Sequence, residues 1–195
     1  DDFIYANPRS FLEYDAAIAA LKRNKIHIMG SVLDSTLWPR TIDARQAAAR
    51  TSNLLMKYKD TIRSWEVASE PNGNWLGGAR NSLPEDTVLR VVKEMAAEVK
   101  KIDPSLETVA TLYWWEGTAG DDRHPTFTWL KRAAADGAFR QIDVVGLSIY
   151  PDDNPMGLAF DTTFRRLHQA LPDKRLVIGS FGYVEGKELD GYWWL

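Results

Sequence analysis

The feature that most constrains the fold of this chain is a regular alternation of strand-like and helix-like apolar patterns. Short apolar runs that suit buried strands alternate with stretches whose apolar residues recur every three or four positions, as one face of a helix requires. Such alternation is typical of a parallel sheet with helices packed outside it. The predicted strands are 26–33, 62–68, 108–115, 142–150 and 176–182, and the predicted helices lie near 11–21, 43–58, 82–103, 127–137 and 160–171.

Two architectures fit this alternation, an open doubly wound sheet and a (β/α)8 barrel. An open sheet gathers its functional residues at one switch point, whereas a barrel collects them from many strand ends on one rim. No Gly-x-Gly-x-x-Gly follows any predicted strand, which weakens the interpretation as a nucleotide-binding sheet. We therefore predict an α/β fold of the (β/α)8 TIM-barrel type. Polar or aromatic residues stand at the end of each predicted strand: Asp34, Glu70, Trp114, Tyr150 and Ser180.

The number of strands falls short of the eight that a closed barrel needs. Five are convincing, a weak one is predicted at 3–6, and 191–195 could form a last strand without its usual helix. A typical barrel has about 250 residues, whereas this chain has 195. Because no linker, repeat or low-complexity run divides the sequence, we expect 1–195 to form one domain, a truncated or incomplete barrel.

Composition excludes several classes of function. The net charge of −3 gives no basic surface for nucleic acid, and no apolar run approaches the ~18 residues of a membrane span. The chain has no cysteine, hence neither disulfides nor a thiolate metal site. Its three histidines lack metal-ligand spacing. We therefore expect no metal and no cofactor.

The segment 65–75, which reads Trp-Glu-Val-Ala-Ser-Glu-Pro-Asn-Gly-Asn-Trp, carries the strongest chemical signal. A strand runs into Glu70, which suits protonation of a glycosidic oxygen. Asn72 offers an amide to sugar hydroxyls, and Trp75 offers a flat apolar face to a pyranose ring. The alternative is a cap or surface carboxylate before proline. Where a partner carboxylate would be sought, at the end of the strand 176–182, the chain has Ser180.

These residues resemble the retaining glycoside hydrolases of clan A, most closely family 39 and its bacterial relatives. The segment from Trp65 is similar to the fourth-strand motif Trp-Glu-Val-x-Asn-Glu-Pro-Asn, whose second glutamate is the general acid/base and matches Glu70. The segment ending in Tyr150 resembles the sixth strand, whose tyrosine contacts the nucleophile. Residues 177–183 resemble the seventh strand, Ile-x-Glu-Phe-Gly, and Trp194 is similar to the eighth-strand tryptophan under the sugar.

The sequence departs from the family pattern at two positions. The asparagine that contacts the sugar 2-hydroxyl is Ser69 here, and the nucleophilic glutamate is Ser180. A serine hydroxyl cannot stabilise an oxocarbenium-like transition state by charge, and it is a poor nucleophile without an adjacent base. We therefore expect hydrolysis to be impaired or absent in this chain, by natural loss or by deliberate substitution.

The resemblance implies a retaining hydrolase of β-linked poly- or oligosaccharide, with catalytic positions Glu70, Ser180 and Tyr150. One alternative is a degenerate barrel that binds glycan without cleaving it. Another moves the second carboxylate elsewhere, which would suggest inversion. The candidates for that carboxylate are Glu116, Asp152 and Glu185, and the candidate sugar-binding residues are Ser69, Asn72, Trp75, Trp114, Trp115, Trp194 and Asp34, with at least one of the last three tryptophans as a platform.

The substrate class also sets expectations for partners and location. We expect a carbohydrate substrate, a monomer, and no nucleic-acid or membrane partner. Because polysaccharide hydrolases usually meet their substrates outside the cytoplasm, we expect an extracellular or periplasmic protein.

Overall fold

A computed structural model gives the fold of most of the chain. It describes residues 8–78, 83–115, 124–151 and 156–182, and for residues 8–13 only the backbone. The strands predicted at 3–6 and 191–195 lie outside these ranges.

Helices and strands alternate along the described residues, as the apolar patterns predict. The strands are β1 (Met29–Ser31), β2 (Ser64–Ser69), β3 (Glu107–Tyr113), β4 (Val144–Ile149) and β5 (Arg175–Phe181), and the helices are α1 (Pro8–Arg23), α2 (Ala44–Tyr58), α3 (Glu85–Ile102), α4 (Thr126–Asp136) and α5 (Phe160–Ala170), with short 3-10 helices at Ser35–Leu37 and Gly157–Ala159.

Local signals fix several helix ends. Asp43 is the N-cap of α2, and its Oδ1 accepts the Gln46 N–H at 2.8 Å, which satisfies one of the amides that a helix start leaves unpaired. Gly137 ends α4 with φ of 84°, a left-handed conformation that glycine adopts without a Cβ clash. Helix α3 begins at Glu85, three residues after the position predicted from the sequence.

The five strands form one parallel sheet in the order β1-β2-β3-β4-β5. Each strand pairs with the next one along the chain, and no reversal of order occurs among the described strands. A doubly wound sheet reverses its order at a switch point, whereas a barrel keeps it sequential. The predicted barrel architecture is therefore confirmed as a five-stranded parallel half-barrel with its helices.

The sheet is curved so strongly that side chains of alternate strands meet on its inner face. A Cβ at Gly179 of β5 would lie 2.5 Å from Cγ2 of Thr111 on β3, although β4 separates these strands. Gly146 on β4 leaves the space through which Thr111 reaches, since a Cβ there would lie 3.3 Å from Thr111 Oγ1. Two glycines thus accommodate one threonine in an interior layer, a feature of barrels rather than flat sheets.

Two register irregularities disturb the alternation of side chains near the carboxyl ends of the strands. On β2 the pairing with β3 shifts between Glu66 and Ala68, which leaves Val67 as an extra residue. On β5 the pairing with β4 skips Gly179. A bulge of this kind re-aims the side chains that follow it. It explains why Glu66 and Ser69, three positions apart, line the same cavity.

The core lies between the outer face of the sheet and the helices. Trp65, Leu112 and Leu147 from three successive strands are at most 1% exposed, as are Leu55 of α2 and Met95 of α3. Strand β4 is buried along its whole length, as expected for a parallel strand covered on both faces. This packing holds the carboxyl ends of the strands in place beneath the site.

Candidate active site

A cavity of about 570 Å³ opens at the carboxyl ends of the strands. This is the end of the barrel at which active sites of this architecture are found. All five described strands or the loops that follow them contribute to it. Its lining residues are Met29, Asp34, Ser35, Thr36, Glu66, Ser69, Glu70, Trp75, Tyr113, Ser148, Tyr150, Gly179 and Ser180.

Glu70 stands directly after β2 in a left-handed backbone conformation, with φ of 46°. Its N–H continues the ladder by donating to the Thr111 carbonyl at 2.7 Å, and its carbonyl accepts the Gly73 N–H at 2.9 Å. The chain therefore turns sharply at Glu70. Non-glycine residues adopt this conformation at an energetic cost, and such residues cluster at functional sites.

The environment of the Glu70 carboxyl favours its protonated form. Burial raises the pKa of Glu70, and the nearby Asp34 and Glu66 carboxylates raise it further. Hydrogen bonds from Ser148 and Ser35 act in the opposite direction, the second with 3.2 Å between Ser35 Oγ and Glu70 Oε2. Glu70 therefore retains its proton to a higher pH than an ordinary glutamate, as a general acid must.

Tyr150 and Ser180 are in contact within the same cavity. The Tyr150 hydroxyl lies 2.8 Å from Ser180 Oγ, within hydrogen-bond distance. Burial raises the pKa of Tyr150, while its hydrogen bond with Ser180 lowers it. The cavity thus brings together Glu70, Tyr150 and Ser180, the three residues that the sequence places at separate strand ends.

Glu66 is a cavity residue that the sequence argument did not select. Thr111 Oγ1 donates to Glu66 Oε1 at 2.6 Å, and burial raises the pKa of Glu66. A signal was present, because Glu66 is a charged residue inside an otherwise apolar strand whose neighbours Trp65 and Val67 are each 1% exposed. Glu66 lies in β2 and Glu70 directly follows the same strand, so Glu66 does not provide a second carboxylate from another strand.

Aromatic side chains form one wall of the cavity. Trp75 and Tyr113 make an edge-to-face pair with ring centroids 4.9 Å apart. The ring centroids of Tyr113 and Tyr150 are 6.0 Å apart. The sequence predicts that Trp75 offers a flat face to a sugar, and Trp75 lines the cavity. Tyr113 is a cavity residue that the sequence analysis does not predict. It is the last residue of β3, and Tyr150 stands at the equivalent place directly after β4.

Two predicted sugar contacts are placed elsewhere. Trp114 is 3% exposed and packs edge-to-face on Phe127, so it belongs to the core. The Asn72 amide is 1% exposed and bridges backbone groups, donating to the Tyr113 and His124 carbonyls and accepting the Tyr113 N–H. These bonds hold the loop in place, and Asn72 is not among the residues that line the cavity; its role as a ligand for sugar hydroxyls stays a prediction.

The remaining predicted residues divide between the cavity and its surroundings. Asp34 lines the cavity and caps the 3-10 helix that follows β1, with its Oδ1 accepting the Thr36 N–H at 2.9 Å. Ser69 lines the cavity and is 8% exposed. Trp115 is half-buried and is not among the lining residues. Four predicted positions lie outside the described residues: Trp194, Glu116, Asp152 and Glu185.

The part of the chain that the structure describes shows neither a metal site nor a membrane-spanning helix. It contains no group of three or more His, Asp or Glu side chains arranged to hold a metal ion. Within the same ranges, no helix has the length and apolar character needed to cross a membrane.

Comparison with known proteins shows a shared fold. No protein-family model matches the chain, and no curated protein matches it. Among solved structures, it is similar to an endo-β-1,4-xylanase of glycoside hydrolase family 10 from Gloeophyllum trabeum, with TM-score 0.65 and 16% identity over 93% of this chain and 59% of that one.

Other glycosidase structures give the same result. A glucosidase from Croceicoccus marinus matches with TM-score 0.65 and 14% identity over 89% of this chain and 38% of that one. The GH53 catalytic domain of Ignisphaera aggregans matches with TM-score 0.58 and 14% identity over 89% of this chain and 52% of that one. This chain therefore spans 38–59% of the length of these three structures. At such identities the likeness shows the fold, a partial TIM barrel like those of glycoside hydrolases.

Proposed function

We propose that this chain is a glycoside hydrolase-type protein that acts on β-linked poly- or oligosaccharide, with Glu70 as the acid/base and Ser180 at the position of the nucleophile. The observation that carries the proposal is the cavity at the strand ends, which Glu70, Tyr150 and Ser180 line together. The partial barrel shared with xylanase and glucosidase structures supports the same class.

In the proposed reaction, Glu70 protonates the leaving oxygen and later deprotonates water. Its buried carboxyl, with a raised pKa, suits the first step. A carboxylate at position 180 would form the glycosyl-enzyme, with the Tyr150 hydroxyl as its hydrogen-bond donor, which the 2.8 Å contact supports. Retention requires carboxyl groups about 5–5.5 Å apart. With serine at 180, the chain as it stands is impaired in this step.

A second candidate function is glycan binding without cleavage. The presence of Ser180 where the mechanism needs a carboxylate favours it, and so does Ser69 at the position of the family asparagine. Under either function we propose a monomer that acts outside the cytoplasm, in the periplasm or extracellular space, without a nucleic-acid or membrane partner.

Ser180→Glu is the experiment that separates the two functions. Restoring a carboxylate beside Tyr150 should raise hydrolysis of an aryl β-glycoside or the cognate polysaccharide by orders of magnitude, with retention of anomeric configuration by NMR. Ser180→Gln is the control, because glutamine has nearly the size of glutamate but no charge. This variant should show no gain in hydrolysis. Folded Ser180→Glu protein without a gain across a broad glycan panel would favour the binding function.

An activated donor provides an independent test of the missing nucleophile. The small Ser180 side chain leaves room for a glycosyl fluoride of inverted anomeric configuration, and Glu70 would act as base for an incoming sugar hydroxyl. We expect transfer to an acceptor with little hydrolysis of the product, and loss of transfer in Glu70→Gln.

A further inference from the structure

The cavity has an acidic lining without a basic side chain among its described residues. Asp34, Glu66 and Glu70 line it, and none of its lining residues is a lysine, arginine or histidine. Many acidic side chains elsewhere are paired, as Asp15 is with Lys57 at 2.7 Å and Glu107 with Arg175 at 2.8 Å. Among the described residues, none of the three cavity carboxylates forms an ion pair.

The aromatic wall adds a second attraction for positive charge. Trp75, Tyr113 and Tyr150 line the same cavity, and the face of an aromatic ring attracts a cation as well as the apolar face of a sugar. The cavity therefore combines a surface for a pyranose ring with surroundings that favour an ammonium group and oppose a carboxylate.

We propose that this cavity selects sugars by charge, taking a β-glycoside of a hexosamine with a free amino group in preference to the neutral glycoside and rejecting the uronic acid glycoside. The inference rests on the proposed function, since it names the substrate class of the same site. An ammonium group among Asp34, Glu66 and Glu70 relieves their mutual repulsion, whereas a uronate adds a further negative charge to it.

Proton release should accompany binding of the amino sugar. Burial raises the pKa of Glu66 and of Glu70, and each of them is also raised by the Asp34 carboxylate. A bound cation favours the ionised form of these groups. The affinity for the amino sugar should therefore fall as pH drops into the range in which Glu66 and Glu70 become protonated. The affinity for a neutral glycoside should change less.

Three matched probes test the proposal on the unaltered chain: methyl β-D-glucosaminide, methyl β-D-glucoside and methyl β-D-glucuronide. They share a ring and an aglycone and differ in charge. NMR titration should give a Kd for the glucosaminide about tenfold or more below that of the glucoside, a gap that one partly screened ion pair can supply. The glucuronide should bind most weakly. Calorimetry in two buffers of different ionisation enthalpy, at a pH low enough for the amino group of the free glucosaminide to be protonated already, should show proton release with the glucosaminide alone.

Variants assign the selectivity to the cavity carboxylates. Glu66→Gln and Asp34→Asn remove charge with little change of shape, and each should reduce the ratio between glucosaminide and glucoside affinities. The control is Asp60→Asn, which makes the same change of charge at a side chain that is 90% exposed and precedes β2, at the opposite end of the strand.

The outcomes separate this inference from the proposed function. Equal binding of the three probes, or tightest binding of the glucuronide, would overturn charge selection and leave a glycan site in place. A ratio unchanged in both cavity variants would also overturn it. If no glycoside binds, the inference and the proposed function fail together.

Discussion

At the scale of the single residue, Glu70 combines two properties that both cost stability. Its backbone has the left-handed φ of 46°, which costs an L-residue about 1–2 kcal/mol. Its carboxyl is buried beside Asp34 and Glu66, and burial raises its pKa. Neither property improves packing, so the position is one where activity and stability are expected to oppose each other.

We expect Glu70→Gly to be more stable than Glu70→Ala. Both remove the buried carboxyl, but only glycine accepts the left-handed conformation without a Cβ clash, a difference of about 1 kcal/mol. For a chain of this length, that corresponds to a Tm about 2–4 °C higher. Thermal unfolding of the two variants under identical conditions measures it. Equal Tm values would mean that the turn relaxes when Glu70 is replaced.

Glu70→Gln tests the acid/base role in the Ser180→Glu background. A glutamine cannot protonate the leaving group, so hydrolysis of a substrate with a poor leaving group should fall about 10²- to 10⁴-fold. An aryl glycoside with a good leaving group should lose less in the glycosylation step. Undiminished turnover of the poor substrate would exclude Glu70 as the acid.

The sequence predicts the site residues that belong to a recognisable motif. It does not predict those whose place in the cavity depends on how the strands pack. Glu70, Tyr150 and Ser180 follow apolar strands and match a known pattern, and the cavity brings them together. Asn72 lies in the segment of Glu70 and Trp114 directly follows β3, but whether such a side chain points to the cavity or the interior depends on strand register and on the loop. Glu66 was missed because the bulge after it is not visible in the sequence.

At the scale of the elements, Thr111 connects three strands on the inner face of the sheet. Its hydroxyl holds Glu66 at 2.6 Å, and its methyl group occupies the space that Gly179 leaves open. The order of the strands and helices could be predicted because each has a clear apolar period. The contact between Thr111 and Gly179 could not be predicted, because it depends on the sheet curvature that brings β3 and β5 together.

Gly179→Ala should destabilise the chain through Thr111. The new methyl group would lie 2.5 Å from Thr111 Cγ2, and overpacking of this kind costs about 1–3 kcal/mol. In a Thr111→Ala background the cost should fall, because Cγ2 at 2.5 Å and Oγ1 at 2.6 Å are removed and only Cβ, at 3.1 Å, remains close. A double-mutant cycle by chemical denaturation measures the coupling, and we expect about 1 kcal/mol or more. Additive effects would show that the strands move apart instead.

At the scale of the whole molecule, the buried carboxyls make stability depend on pH. The folded-state pKa of Glu66 is raised by burial, as is that of Glu70. Below the ordinary glutamate pKa both groups are protonated in the folded and unfolded states alike. As pH rises toward the folded-state pKa values, the unfolded chain releases these protons first, so the free energy of unfolding decreases.

Glu66→Gln should weaken this pH dependence. Because glutamine does not ionise, the variant should gain stability relative to the original chain at neutral pH and lose that advantage in acid. Chemical denaturation at several values between about pH 4 and pH 8 measures the difference. Asp60→Asn, at an exposed side chain, should run parallel to the original chain. If the free energy of unfolding of Glu66→Gln depended on pH in the same way as that of the original chain, Glu66 would not be the source of the pH dependence.

The sequential order of the sheet has a consequence for how the chain acquires its structure. Every described strand pairs only with the strands before and after it in the sequence, so each pairing is complete once the next strand–helix unit has been made. Among the described strands, backbone pairing joins only neighbours in the sequence, which keeps the entropy of loop closure low. During synthesis the sheet can grow unit by unit from its amino-terminal side. The cavity, which needs residues from β1 through β5, is then complete only after β5 has joined the sheet.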